Sequence, residues 1–118
     1  MELKRLTFIG FSRNDLREFP EEVRQEIGYA LFEVQKGNKP AEAKPLKGFG
    51  GAGVLEIIEN YFSDTYRAVY TVKFAKAVYV LHCFQKKSKH GIATPKYEID
   101  LIKRRLKEAE ECYKLYYR

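Results

Sequence analysis

The stretch from Tyr66 to Lys89, YRAVYTVKFAKAVYVLHCFQKKSK, decides the predicted fold. Its two halves, 66–74 and 77–85, are rich in Tyr, Val and Phe, which are favoured on pleated, half-buried surfaces. They predict the two arms of a β-hairpin, and a cluster of lysines follows the second arm. The sequence leaves the turn type open.

The length of the turn would set the register of this hairpin. If the loop is the dipeptide 75–76, Arg67 lies opposite Phe84 near the open end. Because side chains alternate between the two faces of a strand, one face then collects four residues. These are Arg67, His82, Phe84 and Lys86. A three-residue loop would slip the pairing by one residue and separate the set.

Composition indicates one domain spanning residues 1–118, long enough to bury a core without disulfides or metals. Apolar residues make up 45% and charged residues 32% of the chain, as in ordinary globular proteins. The formal net charge of +6 favours a polyanionic partner, such as RNA, DNA or an acidic protein segment. The alternative is a basic surface that is merely solvated.

Cysteine and histidine usage predicts a reduced, cytoplasmic setting and no metal or other cofactor. Cys83 and Cys112 are the two cysteines, and they fall in a predicted strand and a predicted helix. His82 and His90 are the two histidines, and no metal-ligand spacing accompanies them. No apolar run approaches the length of a membrane span, so we expect no membrane association.

The rest of the chain predicts an α+β fold with an antiparallel sheet of about four strands. Residues 3–11 indicate a first strand, and residues 20–36 a helix with an apolar stripe. Residues 39–53 read as a loop, whose glycines match no phosphate-binding pattern and are typical of a flexible approach to a strand. Residues 54–62 predict a strand before the hairpin, and Pro95 opens the last helix.

Four segments of the chain carry a resemblance to a known family: LKGFGGAG, TYRAVYTVKF, VYVLHCFQKKSK and ATPKYEIDLIKRRL. Together they resemble the RelE/HigB/ParE toxin superfamily, in particular its phage-derived, HigB-like branch. The resemblance implies N-terminal helices on one face of an antiparallel sheet, a concave site on the other face, and a C-terminal helix. It also implies the toxin of a type II toxin–antitoxin system, neutralised by a helix-turn-helix antitoxin. Such a toxin is a cytoplasmic mRNA interferase, an RNA-binding hydrolase that cuts mRNA on the translating ribosome.

The same resemblance implies which residues bind the RNA and take part in its cleavage. Arg67 comes from the YR pair, Lys86 and Lys87 from FQKKS, and Lys47 from LKG. Phe84 is the aromatic residue before the basic pair and would offer a platform on which a base can stack. In one place the chain departs from the pattern: residues 56–58 read Glu-Ile-Ile where many relatives have Glu-Leu-Arg, so one basic group is missing.

General chemistry supports a site of this composition. A metal-independent RNase needs a base for the 2′-hydroxyl, an acid for the leaving 5′-oxygen, and positive charge on the phosphorane. Arg67 suits the phosphate because its planar fork donates two parallel hydrogen bonds. Crowding lysines around an arginine lowers a lysine pKa by like-charge repulsion, whereas a histidine such as His82 transfers protons near neutrality.

The predicted catalytic residues are Arg67, Lys86, Lys87 and His82, and the predicted substrate-binding residues are Lys47, Phe84 and Lys89. Two alternatives stay open. His82 is equally consistent with a histidine packed in the sheet, and Arg67 with a cross-strand charge pair. We expect Lys89 to contact the phosphate backbone or nothing.

A second class of function is open as well, namely a ParE-like, non-enzymatic toxin that inhibits DNA gyrase. The basic set at one end of the hairpin favours the nuclease, because an inhibitor of a protein needs no phosphate-handling cluster. A plain RNA-binding module is disfavoured, since the strands lack the repeated aromatic-plus-basic pattern of common single-strand binders.

Overall fold

The computed structural model describes residues 2–51, 53–87 and 94–117, with Lys87 described by its backbone. It is an α+β fold, as the sequence predicts. The elements in chain order are β1 (Arg5–Phe8), α1 (Ser12–Arg17), α2 (Glu21–Gln35), β2 (Ala43–Pro45), β3 (Val54–Tyr61), β4 (Asp64–Thr71), β5 (Ala77–Lys87) and α3 (Lys96–Tyr116). The strands form one sheet in the order β1-β5-β4-β3-β2.

The sheet differs from the prediction in strand number and direction. It has five strands, and β1 runs parallel to β5, so the sheet is mixed. The parallel pairing is possible because the long connection through α1, α2 and the β3–β4 hairpin separates the two strands. The fifth strand, β2, lies in a segment predicted to be loop. It pairs antiparallel with β3 at the sheet edge, where Pro45 is tolerated.

The two N-terminal helices cover one face of the sheet. In α2 the apolar stripe is buried, as its helical spacing predicts: Val23, Ile27, Ala30, Leu31 and Val34. This stripe packs against Tyr66, Ala68 and Tyr70 of β4 together with side chains of β5. The N-terminal helices therefore bury the central part of this face of the sheet.

The C-terminal helix α3 packs on the opposite face. Ile102 is fully buried there and shares a core cluster with Val69, Tyr79 and Leu81 of the sheet. The resemblance implied that this face carries an open, concave site. In the structure α3 covers part of it, because the helix has an apolar stripe of its own to bury.

The β4–β5 hairpin has the register expected at its open end, but its connecting loop and its pairing near the loop differ from those expected. Strand β4 ends at Thr71 and β5 begins at Ala77, so five residues connect them, and neither the two-residue loop nor the three-residue loop considered above is formed. A β-bulge between Val69 and Tyr70 then shifts the pairing by one residue. The bulge offsets the longer turn, and Arg67 lies opposite Phe84 as predicted.

Among the described residues, no helix is both long enough and apolar enough to span a membrane.

Candidate functional site

The open end of the hairpin brings the predicted face together. The register places Arg67 opposite Phe84, and the same-face neighbours His82 and Lys86 flank Phe84 along β5. Side chains from β3 and α3 join them. We refer to this set as the hairpin site, and it comprises Glu56, Arg67, His82, Phe84, Lys86, Glu98 and Arg105.

Arg67 is held by a carboxylate of the neighbouring strand. Its Nη1 donates to Oε1 of Glu56 at 2.7 Å, and the two side chains are only 13% and 5% exposed. The contact follows from the register, because Arg67 pairs with Ile58 and Glu56 lies two residues away on the same face. Among the described residues, Arg67 Nε is a buried nitrogen without a hydrogen-bond partner. The cross-strand charge pair is thus observed, and it leaves a donor unused.

Both ring nitrogens of His82 lie within hydrogen-bonding distance of side chains from α3. Its Nε2 lies 2.9 Å from Oε1 of Glu98, and its Nδ1 lies 3.2 Å from Nη1 of Arg105. The Arg105 Nη1 also donates to the carbonyl oxygen of Leu81 at 3.0 Å. The imidazole stacks on the ring of Phe84, with the ring centroids 4.9 Å apart. His82 is therefore both packed in the sheet and hydrogen-bonded within the hairpin site.

The pKa of the Lys86 amine is lower than that of a free lysine. Partial burial lowers the pKa of Lys86, and the positive charge of Arg67 lowers it further. The carboxylates of Glu56 and Glu98 act in the opposite direction. The like-charge effect predicted from the lysine cluster is present, but desolvation contributes more.

The hairpin site is less basic than the sequence suggests. Its basic side chains besides His82 are Arg67, Lys86 and Arg105, and its two carboxylates are Glu56 and Glu98. With His82 neutral, these groups sum to a formal charge of +1. A phosphate arriving here would compete with carboxylates for the arginine donors, which carry five N–H groups each.

The other predicted site residues lie outside this cluster or are confined within it. Lys47 is exposed and follows β2 where Leu46 N donates to Val54 O. Arg67 pairs four residues further along β3, about 13 Å away at the usual strand rise. The structure therefore does not bring Lys47 to Arg67.

Phe84 is 8% exposed, so a base could stack on its ring only after a rearrangement. The backbone of Lys87 pairs with Asp64 at the end of the hairpin. Lys89, the remaining predicted substrate-binding residue, lies outside the described residues.

Three charged members of the hairpin site were not predicted: Glu56, Glu98 and Arg105. Glu98 and Arg105 are seven residues apart on α3, so they project from the same side of the helix about two turns apart. Ile102 lies between them and is buried against the sheet. Two opposite charges that bracket an apolar stripe are a usable signal that both charges face the sheet.

Metal binding has no support within residues 2–51, 53–87 and 94–117, where no cluster of three or more His, Cys, Asp or Glu side chains could hold an ion.

Comparison with known proteins gives a family and a fold. The sequence profile of the family described as "Phage derived protein Gp49-like (DUF891)" matches residues 14–107. A double mutant of Escherichia coli toxin RelE, solved in the free state, superposes with a TM-score of 0.59 at 21% identity, over 86% of this chain and 97% of that one. The toxin–antitoxin complex RelBE2 from Mycobacterium tuberculosis gives a TM-score of 0.50 at 20% identity, over 71% of this chain and 99% of the matched one. Comparison with curated protein sequences gives no match.

Proposed function

Because the chain belongs to the Gp49-like family of phage-derived proteins and shares the RelE fold, we propose that it is the toxin of a type II toxin–antitoxin system. One of the two similar structures is a RelE toxin and the other is a toxin–antitoxin complex, and the fold matches cover nearly all of both matched chains. The expected partner is a helix-turn-helix antitoxin, which would cover or distort the hairpin site. Co-expression with the adjacent small gene should relieve growth arrest and give a complex that co-purifies.

The activity we propose is cleavage of mRNA on the translating ribosome, in the cytoplasm. The observation that carries it is the convergence of Arg67, His82 and Lys86 on one face at the open end of the hairpin. A buried guanidinium with an unused N–H suits an incoming phosphate, and an amine with a lowered pKa beside it suits proton transfer.

The proposed reaction is an internal transesterification that needs no metal. The 2′-oxygen attacks the neighbouring phosphorus and loses its proton to a base, while the bond from phosphorus to the 5′-oxygen breaks and that oxygen gains a proton. The products are a 2′,3′-cyclic phosphate and a free 5′-hydroxyl. Arg67 binds the phosphate and stabilises its extra charge, and Lys86 or His82 transfers the protons. Lys87 is an alternative proton carrier, and Lys47 and Lys89 are proposed to contact the RNA backbone.

The test must separate loss of chemistry from loss of fold. Arg67→Ala would leave Glu56 buried without a partner, so we favour the double variant Glu56→Met/Arg67→Met, which removes both charges and keeps the volume. Primer extension on mRNA from translating ribosomes should show cleavage by the wild type and a loss of about 10²–10³ in the double variant. Arg24→Met is the matched control, because Arg24 is an exposed cation on α2, on the other side of the sheet. Wild-type cleavage by the folded double variant would refute the role of Arg67.

One observation favours the second candidate, a ParE-like toxin that inhibits DNA gyrase without chemistry. Glu56 and Glu98 already occupy Arg67 and His82, as expected if these charges shape a protein-binding surface. Growth arrest with intact mRNA and damaged DNA would support this candidate, and site-specific mRNA cleavage would exclude it.

A further inference from the structure

The contact between Arg105 and His82 fixes which ring nitrogen carries the proton. A guanidinium has N–H donors and no acceptor, and it stays charged at any pH at which the protein is folded. Its Nη1 lies 3.2 Å from His82 Nδ1, so Nδ1 must be the acceptor and carries no proton. The single ring proton is then on Nε2, which donates to Glu98 Oε1 at 2.9 Å.

Arg105 itself is held in place by the turn that follows β1. The guanidinium donates to the carbonyl of Leu81 and passes directly against Gly10. A Cβ atom at Gly10 would lie 3.0 Å from Arg105 Nε and 3.1 Å from Cζ, closer than ordinary van der Waals contact. The φ of Gly10 is +59°, which also favours glycine. The turn therefore leaves just enough room for the arginine.

We propose that Arg105 is a positioning residue that holds His82 as the Nε2–H tautomer, and that Gly10 provides the space in which Arg105 does so. With Arg105 on Nδ1, His82 does not act as a base, and its Nε2–H reaches a substrate oxygen only by exchanging Glu98 for it. In the proposed nuclease, on which this consequence rests, the neutral ring of His82 donates a hydrogen bond to a phosphate oxygen in place of Glu98 and does not itself give up a proton. The proton of the 2′-hydroxyl goes to another group, for which Lys86 is the neighbouring amine.

Both positive and negative side chains surround His82. Glu98 and Arg105 face it from α3, and Arg67 lies on the same face of β4. On the side of α1, Asp15 and Glu18 line a cavity of about 320 Å³ that His82 also borders. Among these groups, the Arg105 guanidinium is the one in direct contact with Nδ1, and it can only donate to that nitrogen.

The direct test is the two-bond ¹H–¹⁵N correlation spectrum of the histidine rings. The chain has two histidines, so His90→Gln leaves one ring to observe. Near neutral pH, His82 should show a protonated Nε2 and an unprotonated, hydrogen-bonded Nδ1. Arg105→Met removes the donor and should shift the Nδ1 signal, and Arg105→Lys should restore it in part. Arg104→Met is the control, because Arg104 is the exposed neighbour on the same helix. A wild-type spectrum with the proton on Nδ1, or on both nitrogens, would overturn the proposal.

Gly10 offers a second test that leaves every hydrogen-bonding group in place. Gly10→Ala should push the guanidinium away and move the Nδ1 signal in the direction that Arg105→Met does. Gly37→Ala is the matched control, since Gly37 also has a positive φ, +92°, but a Cβ there meets nothing within 4 Å. An unchanged Nδ1 signal in folded Gly10→Ala would refute the role of Gly10.

Cleavage assays then separate this inference from the proposed function. Loss of cleavage in Arg105→Met, with partial rescue by Arg105→Lys, supports positioning for catalysis. Full cleavage by a folded Arg105→Met would overturn it. If the wild type cuts no mRNA, the proposed function fails, and the tautomer of His82 is still decided by the spectrum.

Discussion

The ion pair between Arg67 and Glu56 makes a quantitative prediction about stability. Replacing Arg67 with Met leaves the Glu56 carboxylate 5% exposed and without its partner. Breaking a buried pair by removing one member costs about 3–5 kcal/mol, because the remaining charge stays desolvated. A domain of this size has about 5–15 kcal/mol of stability in total, so this loss is severe. Tm should fall by on the order of 10 °C or more.

The double variant Glu56→Met/Arg67→Met should behave differently. Two apolar side chains of similar length fill the same space, and replacing a buried pair in this way is nearly neutral or stabilising. Urea denaturation followed by circular dichroism gives the free energies of unfolding of the wild type, both single variants and the double variant. The reasoning is refuted if Arg67→Met costs less than about 1 kcal/mol, or if the effects of the two single variants simply add.

Three further predictions concern other parts of the chain. Burial and the charge of Arg67 lower the pKa of Lys86, so its neutral amine is populated at lower pH than that of a free lysine. The rate of single-turnover cleavage should therefore rise with pH through that pKa. Lys86→Arg should abolish this rise, because a guanidinium does not lose its proton in this range. Burial raises the pKa of the Cys83 thiol to about 12. Mild alkylation near pH 8 should therefore modify Cys112 and leave Cys83 unmodified until the protein is unfolded. Rapid labelling of Cys83 in the native state would contradict this. Ile102→Ala should cost about 2–5 kcal/mol in urea unfolding, because Ile102 is fully buried between α3 and the sheet, and a loss below about 1 kcal/mol would show that α3 is loosely packed.

The sequence predicts the fold well where hydrophobic periodicity carries the information. The buried stripe of α2 follows helical spacing, and β3, β4 and β5 follow strand composition, so these elements and their antiparallel order are confirmed. The direction of β1 could not be derived in the same way. A parallel partner depends on how a distant segment returns to the sheet, and no local pattern in Arg5–Phe8 encodes that.

The hairpin site shows a similar division. The grouping of Arg67, His82, Phe84 and Lys86 needs only the alternation of side chains and the register, and the structure has both. That register is expected only for a two-residue loop; five residues connect the strands instead, and the bulge between Val69 and Tyr70 restores the register. The amino-acid pattern does not reveal a bulge of this kind, because one extra residue in a strand does not change which residue types the strand contains.

The partners of the site residues depended on long-range packing. Glu56 reaches Arg67 from the adjacent strand β3, while Glu98 and Arg105 reach His82 from α3. A sequence shows that these residues are charged, but it does not show that the charges are buried in pairs. The resulting neutralisation is the main feature of the hairpin site that sequence reasoning missed.

The parallel pairing of β1 with β5 has a consequence for synthesis of the chain. It joins Arg5 to Ala77, so the first strand must wait for a partner 72 positions later, and closing so large a loop is entropically slow. During translation, the meander from β3 to β5 can form from local contacts before β1 docks. Glu98 and Arg105 emerge later still, on α3, and until then His82 lacks both of its partners. We therefore expect a nascent chain to complete the hairpin site only after α3 has left the ribosome, later than the β3–β5 meander forms.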